Sequence, residues 1–96
     1  MSEGRSFYVL AYDISDDRRR LKLARLMESL GVRVQGSVFE AYLTARELEH
    51  LLRRCRKIMK TEEDSLRIYR LCAACRQEIR TEGKGHVTPP PQVTVI

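Results

Sequence analysis

The stretch SFYVLAYDISDDRRRLKLARLMESLG, residues 6–31, contains the two patterns that determine the fold class. Its beginning, residues 6–12, is apolar on both alternating faces, which is typical of a strand buried on both sides. Ser15 is predicted to cap the helix that follows, because two aspartates then fall in the first turn, where the helix dipole favours acids. Gly31 is its expected C-terminal stop. The apolar stripe of this helix consists of Leu23, Leu26, Met27 and Leu30.

Two further strands are predicted within VRVQGSVFEAYL, residues 32–43. Its β-branched and aromatic residues are typical of strands, but the apolar phase shifts beside Gly36 and Ser37. We therefore expect a strand over 32–35, a tight turn or bulge, and a strand over 37–43.

The second helix is predicted to begin at Thr44, because Glu47 three residues later completes a capping box. Its leucines recur at helical spacing as far as Met59. The acids at 62–64 are interpreted as a solvated turn, and residues 65–72 as the fourth strand.

The resulting order, β-α-β-β-α-β, predicts an α+β, ferredoxin-like domain over residues 1–80, with an antiparallel sheet and two helices on one face. The first strand is apolar on both faces, so the other face needs a cover, and a second copy of the chain in a homodimer is the simplest one. Residues 81–96 are predicted to form a loop and a short tail strand, QVTVI, which could pair with the partner subunit.

The composition favours a polyanionic partner. The 96 residues carry a net charge of +5, and such an excess of Lys and Arg is common in nucleic-acid-binding domains, although a merely solvated surface is the alternative. There is no apolar run long enough for a transmembrane helix and no signal-peptide pattern, so we expect a cytoplasmic protein that does not bind membranes. The three cysteines predict no disulfide framework, and the Cys72–Cys75 pair is interpreted as ordinary thiols.

One acid, Asp13, lies between the apolar strand and a strongly basic helix. A carboxylate in a basic surface repels phosphate unless a divalent cation lies between them, and Mg²⁺ takes one or two carboxylates while bridging to phosphate oxygens. Mn²⁺ is the alternative ion. From the spacing alone, Asp13 is equally well explained as a turn residue before the helix. The residues predicted to contact phosphate are Arg18, Arg19, Arg20, Lys22, Arg25 and Arg33. A predicted stripe on the second helix adds to the positive field and consists of Arg53, Lys57 and Lys60.

The combination of Y-D-I, D-D-R-R-R, R-V-Q-G-S-V-F-E and E-D-S-L-R-I-Y resembles the small CRISPR-associated adaptation nucleases, the Cas2 family. The resemblance runs from about Phe7 to Cys75. It implies a ferredoxin-like homodimer with metal-dependent endonuclease activity on RNA or double-stranded DNA. It also implies a DNA-holding role between dimers of a partner integrase during spacer acquisition.

The resemblance implies the roles of individual residues as well. Asp13 would hold Mg²⁺ at the dimer seam, Tyr12 would neighbour it on the strand, and Ser37 and Phe39 would shape the catalytic site. Both aromatic residues could instead belong to the core, and Ser37 could be a turn residue.

Two other functions remain open at this point. The chain could be a non-catalytic adaptor that holds nucleic acid, or a toxin-like ribonuclease outside CRISPR immunity.

Overall fold

The computed structural model describes residues 4–90. Four strands and three helices follow one another along the chain. They are β1 (Ser6–Asp13), α1 (Asp17–Glu28), β2 (Val32–Gln35), β3 (Val38–Leu43), α2 (Ala45–Ile58), β4 (Ser65–Leu71) and α3 (Ala73–Gln77).

The four strands form one antiparallel sheet in the order β2-β3-β1-β4. Strand β1 is central, with Leu10 opposite Phe39 of β3 on one side and opposite Ile68 of β4 on the other. Gly36, with a φ of +30°, lies in the turn between β2 and β3, and the register shifts beside it between Arg33 and Gln35. The predicted α+β class and the break at Gly36 are confirmed.

The core lies between the sheet and the two longer helices. Every second residue of β1 and β3 faces it, and these side chains meet the apolar stripes of α1 and α2. The buried members of this cluster are Tyr8, Leu10, Tyr12, Ile14, Leu23, Ala24, Leu26, Met27, Phe39, Ala41, Leu43, Leu51 and Cys55. We call the opposite side of the sheet, which carries Phe7, Val9, Ala11 and Asp13 of β1, the open face.

Part of the open face is covered by the segment that follows α3. Thr88 is buried there, and its backbone N–H and hydroxyl donate to Glu40 Oε1 at 3.2 and 2.5 Å. The Tyr42 hydroxyl donates to the Thr88 carbonyl at 3.0 Å. These contacts hold the segment against β3, whereas the sequence predicted only a loop there. The predicted tail strand at 92–96 lies outside the described residues.

Helix α1 begins and ends differently from its prediction. Asp16, not Ser15, is the N-cap, and its carboxylate accepts the Arg19 N–H at 3.0 Å. The helix ends at Glu28, three residues before Gly31. Leu30 therefore lies beyond the last turn and is 38% exposed, so its assignment to the core stripe was wrong.

Gly31 is required for a steric reason. A Cβ at this position would lie 2.5 Å from the Glu40 carbonyl oxygen and 2.9 Å from the Ala41 Cβ. The chain thus enters β2 in close contact with the backbone of β3, which only glycine permits. Of the helices within residues 4–90, none is long and apolar enough to cross a membrane.

Candidate metal and nucleic-acid site

Asp13 ends β1 and is exposed on the open face. Its backbone pairs with Ser65 of β4, which keeps residue 13 in the strand rather than in a helix cap or turn. Within residues 4–90 the carboxylate has no hydrogen-bond or ion-pair partner. A carboxylate in this position can accept ligands from solvent without breaking any contact inside the fold.

Tyr12 lies on the other face of the same strand, because successive side chains alternate. It is buried, and its ring stacks on Phe39 with 6.1 Å between centroids and 22° between planes. Burial raises the pKa of Tyr12, an effect that the nearby Arg33 charge opposes. The hydroxyl is therefore protonated at neutral pH and can donate a hydrogen bond.

Arg33 is held over the Phe39 ring. Its guanidinium carbon lies 5.4 Å from the ring centroid, and its Nη2 donates to Glu28 Oε1 at 2.8 Å. A cation over an aromatic face with a carboxylate at one edge has a defined orientation. Phe39 itself is fully buried, so it supports Arg33 from below and cannot touch a ligand.

Arg20 forms hydrogen bonds to the loop between β1 and α1. Its Nε donates to the Ile14 carbonyl at 3.1 Å, and its Nη1 donates to Asp17 Oδ1 at 2.6 Å. The side chain remains 45% exposed. Arg20 therefore orders the loop behind Asp13 while presenting part of its charge to solvent.

A shallow groove of about 480 Å³ joins several of these residues on the helix side of the sheet. Ser37 is one of the lining residues, and its carbonyl accepts the Tyr12 N–H at 3.1 Å. The groove is lined by Tyr12, Asp17, Arg20, Leu21, Ala24, Arg33, Gly36 and Ser37. The structure thus brings Tyr12, Ser37, Arg20 and Arg33 together, whereas Asp13 points to the other face.

Arg18, Lys22 and Arg25 form an exposed stripe along α1. They recur at positions i, i+4 and i+7, which lie on one side of a helix. None of the three takes part in an ion pair within residues 4–90. The stripe has the charge and spacing that a phosphate backbone binds.

Arg19 is arranged differently from its neighbours. Its Nε and Nη2 donate to the two oxygens of Asp64 at 2.9 and 3.2 Å. The Asp64 side chain is fully buried and also accepts the backbone N–H of Ser15 at 3.2 Å and of Lys60 at 2.9 Å. Arg19 therefore already has a bidentate partner, and its contact with phosphate remains a prediction.

Asp64 was missed by the sequence analysis, which placed it in a solvated turn. The side-chain hydrogen bond from Arg19, followed by the Lys60 N–H, holds the pKa of Asp64 well below its usual range. The order of the strands could have indicated the position of Asp64. When β4 pairs antiparallel with β1, the residue before β4 lies beside the end of β1, and hence beside Ser15.

The second basic group is less regular than predicted. Arg53 and Lys57 are exposed on α2, but Lys60 follows the end of the helix. Lys60 lies 4.0 Å from Glu63 in an exposed ion pair. The three residues therefore do not form one helical stripe.

Asp13 fits a hydrated Mg²⁺ ion in part. Among residues 4–90 there is no cluster of three or more His, Cys, Asp or Glu side chains, so one chain provides no closed cage for a metal. Mg²⁺ does not need such a cage, because it keeps several waters and binds through one or two carboxylates together with substrate phosphates. An exposed carboxylate without an internal partner meets that requirement, and a second copy of Asp13 would complete the pair.

Comparison with known proteins agrees with the motifs. Residues 6–79 match the family model described as CRISPR associated protein Cas2. A CRISPR-associated endoribonuclease Cas2 of Chloroflexus aurantiacus is 48% identical over 92% of this chain and 92% of its own length. A CRISPR-associated endonuclease Cas2 of Thermus thermophilus is 56% identical over 69% of this chain and 73% of its own.

Solved structures give the same result. A chain in a partial Cas6-RT-Cas1–Cas2 complex superposes with a TM-score of 0.73 and 28% identity, covering 95% of this chain and 98% of that one. The small α+β sheet protein described above is thus a CRISPR-associated protein by fold and by sequence. It belongs to the Cas2 family, which confirms the family expected from its motifs.

Proposed function

We propose that this chain is a cytoplasmic, Mg²⁺-dependent endonuclease that hydrolyses phosphodiester bonds in RNA or double-stranded DNA. We also propose that, as a homodimer, it holds DNA against a partner integrase during spacer acquisition. The observation that carries the first proposal is Asp13, an exposed carboxylate without an internal partner beside a strongly basic helix. An acid with no structural task at such a position is best explained as a ligand.

Asp13 is the residue that would hold the ion, and Mn²⁺ could be held by the same oxygen ligands. When bound, the metal would lower the pKa of a coordinated water and neutralise charge on the phosphate. The chain itself holds Asp13 in position. β-Pairing with Ser65 fixes the backbone of Asp13, and Arg20 braces the loop that follows it.

The homodimer is supported by the uncovered part of the open face. The segment around Thr88 contacts β3, whereas Tyr69 on β4 remains 47% exposed and Val9 and Ala11 on β1 are only half-buried. Val9 lies opposite Tyr69 in the pairing of β1 with β4, and a patch of exposed apolar and aromatic side chains favours a protein partner. Asp13 lies at one end of this patch, so a two-fold copy would bring a second Asp13 to the same face.

The DNA-holding role is supported by the stripe of Arg18, Lys22 and Arg25. Phosphate contacts fix position without reading sequence, and such contacts suit a protein that must accept DNA of any sequence. The names of the relatives agree with nucleic-acid chemistry, and the Cas1–Cas2 complex agrees with an integrase as partner.

The nuclease proposal is tested with two isosteric substitutions. Asp13→Asn removes the proposed ligand charge, while Glu62→Gln removes an exposed acid of the turn before β4 and serves as the matched control. Cleavage of single-stranded RNA and duplex DNA is measured with Mg²⁺, with Mn²⁺ and with EDTA. We expect Asp13→Asn to lose metal-dependent cleavage and Glu62→Gln to retain it. Equal cleavage by both variants would exclude Asp13 as the metal ligand.

The DNA-holding proposal is tested by charge reversal. Arg18, Lys22 and Arg25 are replaced by Glu together, and the matched control reverses Arg53, Lys57 and Lys60, which changes the net charge equally. If the α1 stripe contacts phosphate, its reversal lowers the salt slope of DNA binding by about 3, one for each lost contact. If both triple variants lose affinity equally, only the overall charge matters and the stripe is not the contact.

A non-catalytic adaptor is the second candidate, and one observation favours it. Within residues 4–90 Asp13 belongs to no cluster of three or more His, Cys, Asp or Glu side chains that could hold a metal ion. In that case Asp13→Asn leaves spacer acquisition intact, while reversal of the α1 stripe abolishes it. Measuring acquisition and cleavage on the same variants separates the two functions.

A further inference from the structure

Cys72 and Cys75 are free thiols on a single turn of the chain, at the point where β4 leads into α3. Both are exposed, whereas the third cysteine, Cys55, is buried in the core. The Cys75 backbone N–H donates to Cys72 Sγ at 3.4 Å, so the sulfur of Cys72 lies against the backbone of Cys75. Two accessible cysteines are thus held three residues apart by a contact between the Cys72 sulfur and the Cys75 backbone, which neither the core nor the proposed metal site requires.

The two thiols differ in character. Hydrogen bonds from the Cys75 N–H and then from the Cys75 thiol lower the pKa of Cys72, while the bond to Cys72 raises the pKa of Cys75. Burial raises the pKa of Cys55 to about 11, so that thiol stays protonated and inert. The pair therefore has an attacking sulfur and a neighbouring thiol that can resolve the product.

The surroundings of Cys72 indicate what it would react with. A groove of about 390 Å³ beside it is lined by Arg5, Arg70 and Arg76, together with the rings of Phe7 and Tyr42. The Arg76 guanidinium lies 5.8 Å from the Tyr42 ring centroid and donates to the Thr88 carbonyl at 3.5 Å, so it is fixed in place. Arg5 is paired with Glu47 at 3.3 Å, so Arg70 and Arg76 supply the positive charge beside the thiol that favours a small anionic reactant.

We propose that Cys72 and Cys75 form a redox-active dithiol that small anionic disulfides oxidise reversibly to an intramolecular disulfide. The Cys72 thiolate attacks one sulfur of the small disulfide, forming a mixed disulfide and releasing one small thiolate. The Cys75 thiol then loses its proton to solvent and attacks the Cys72 sulfur, which forms the Cys72–Cys75 bond and releases the second small thiolate. The small disulfide is reduced by two electrons, and the two protein thiols are oxidised by two.

A metal site is less consistent with these residues. A structural zinc ion takes four ligands, and within residues 4–90 no third Cys, His, Asp or Glu joins the pair to form a metal-binding cluster. The dithiol is also independent of the proposed nuclease, since Cys72 lies at the end of β4 that pairs with the start of β1, opposite Asp13.

The experiment uses the full chain, reduced, desalted and exposed to oxidised glutathione, after which the remaining thiols are alkylated in acid. Trypsin cleaves after Arg70 and Arg76, so the peptide of residues 71–76 contains both cysteines and no other. We expect this peptide to lose one hydrogen from each thiol, to carry no glutathione, and to return to the dithiol with reduced glutathione. Cys55 is expected to stay reduced.

Cys72→Ser and Cys75→Ser are the matched variants. Serine is itself a good N-cap, so Cys72→Ser should keep α3 folded, which circular dichroism checks. In Cys75→Ser, glutathione should accumulate on Cys72. At ~10 μM chain, the wild-type internal disulfide should form about a hundredfold faster than either variant forms a disulfide between chains, because a neighbouring thiol has a millimolar effective concentration.

Three results would overturn the proposal. The first is a wild-type peptide that stays reduced while Cys55 reacts. The second is stable glutathione on wild-type Cys72, which would mean that Cys75 cannot reach it. The third is stoichiometric binding of added Zn²⁺ that protects both thiols, which would make the pair a metal site. The wild-type peptide decides among these even if a variant fails to fold.

Discussion

Replacing Phe39 by leucine tests whether the ring acts through Arg33 or on a substrate. Phe39 is fully buried, stacks on Tyr12 at 6.1 Å and supports the Arg33 guanidinium at 5.4 Å. Leucine keeps the site apolar but removes the aromatic contact, about 0.5–1.5 kcal/mol, and the cation–π contact, about 0.5–1 kcal/mol. For a domain of this size each kcal/mol shifts Tm by about 4–8 °C, so we expect Tm to fall by about 4–20 °C.

The same substitution should change nucleic-acid binding only modestly. Arg33 keeps its ion pair with Glu28 but loses the ring beneath it. The loss of affinity should be at most about two- to fivefold, the value reached if the whole cation–π contact serves to hold Arg33 in its binding position. Cleavage per bound substrate should not change, because a fully buried ring does not reach the reacting atoms.

Phe7→Leu is the matched control. Phe7 is also buried and its ring lies 5.0 Å from that of Tyr42, but it lies on the open face, and within residues 4–90 no cation lies over it. Its Tm should fall by about 2–12 °C with no change in binding. Thermal unfolding, DNA binding at two salt concentrations and cleavage are measured for both variants. Loss of cleavage in Phe39→Leu at an unchanged Tm would refute the reasoning, since the ring would then contact substrate.

Three further substitutions test the parts of the fold that hold the site. Since the pKa of Asp64 is lowered in the folded state, its contribution to stability is present above the unfolded pKa of about 3.9 and is lost as pH falls below it. The urea midpoint of Asp64→Asn should therefore be lower than wild type at pH 7 and change less between pH 7 and pH 3. Gly31→Ala should lower the free energy of unfolding, measured in urea, by about 1–3 kcal/mol, because its Cβ would meet the β3 backbone. Gly85→Ala is the control and should leave this free energy unchanged, because the nearest atom lies 3.5 Å from its Cβ. Thr88→Val leaves the buried Glu40 without its hydroxyl donor. The loop before residue 88 should then be cleaved faster than in the wild type in limited digestion by a protease. Cleavage at the wild-type rate would contradict the conclusion that the bond between Thr88 and Glu40 holds this segment on β3.

Local periodicity was sufficient to predict most of the fold. The doubly apolar pattern of β1, the helical spacing of α1 and the capping box at Thr44 each depend on residues a few positions apart. The capping box is present as predicted, with the Thr44 hydroxyl accepting the Glu47 N–H at 3.0 Å and the Glu47 carboxylate accepting the Thr44 N–H at 2.8 Å. Such contacts are encoded within one helical turn, so a single sequence reveals them.

The predictions that failed concern residues whose partners are distant in sequence. Ser15 looked like a cap because serine commonly caps helices, yet its N–H binds Asp64, 49 residues away. Glu40 lies in an apolar strand, which should itself have indicated a buried partner, but that partner is Thr88, 48 residues away. Neither pairing follows from spacing, because both depend on which strands and segments become neighbours.

The arrangement of the candidate site follows from strand alternation. Asp13 and Tyr12 are adjacent in sequence, so in an extended strand their side chains point to opposite faces. The predicted catalytic set is therefore divided, with Asp13 on the open face and Tyr12 and Ser37 along the groove on the helix side, where the predicted phosphate contact Arg33 also lies. One chain cannot surround a phosphate with both groups across its own sheet. If Asp13 and the groove residues act on one nucleic acid, its backbone must pass around the end of β1, past the basic residues of α1. A second protomer on the open face would instead add a second Asp13 to the metal site there and would add nothing to the groove on the helix side.

The charge reversal on α1 and the Asp13→Asn variant thus address different faces of the same strand end, and their effects on binding should be independent.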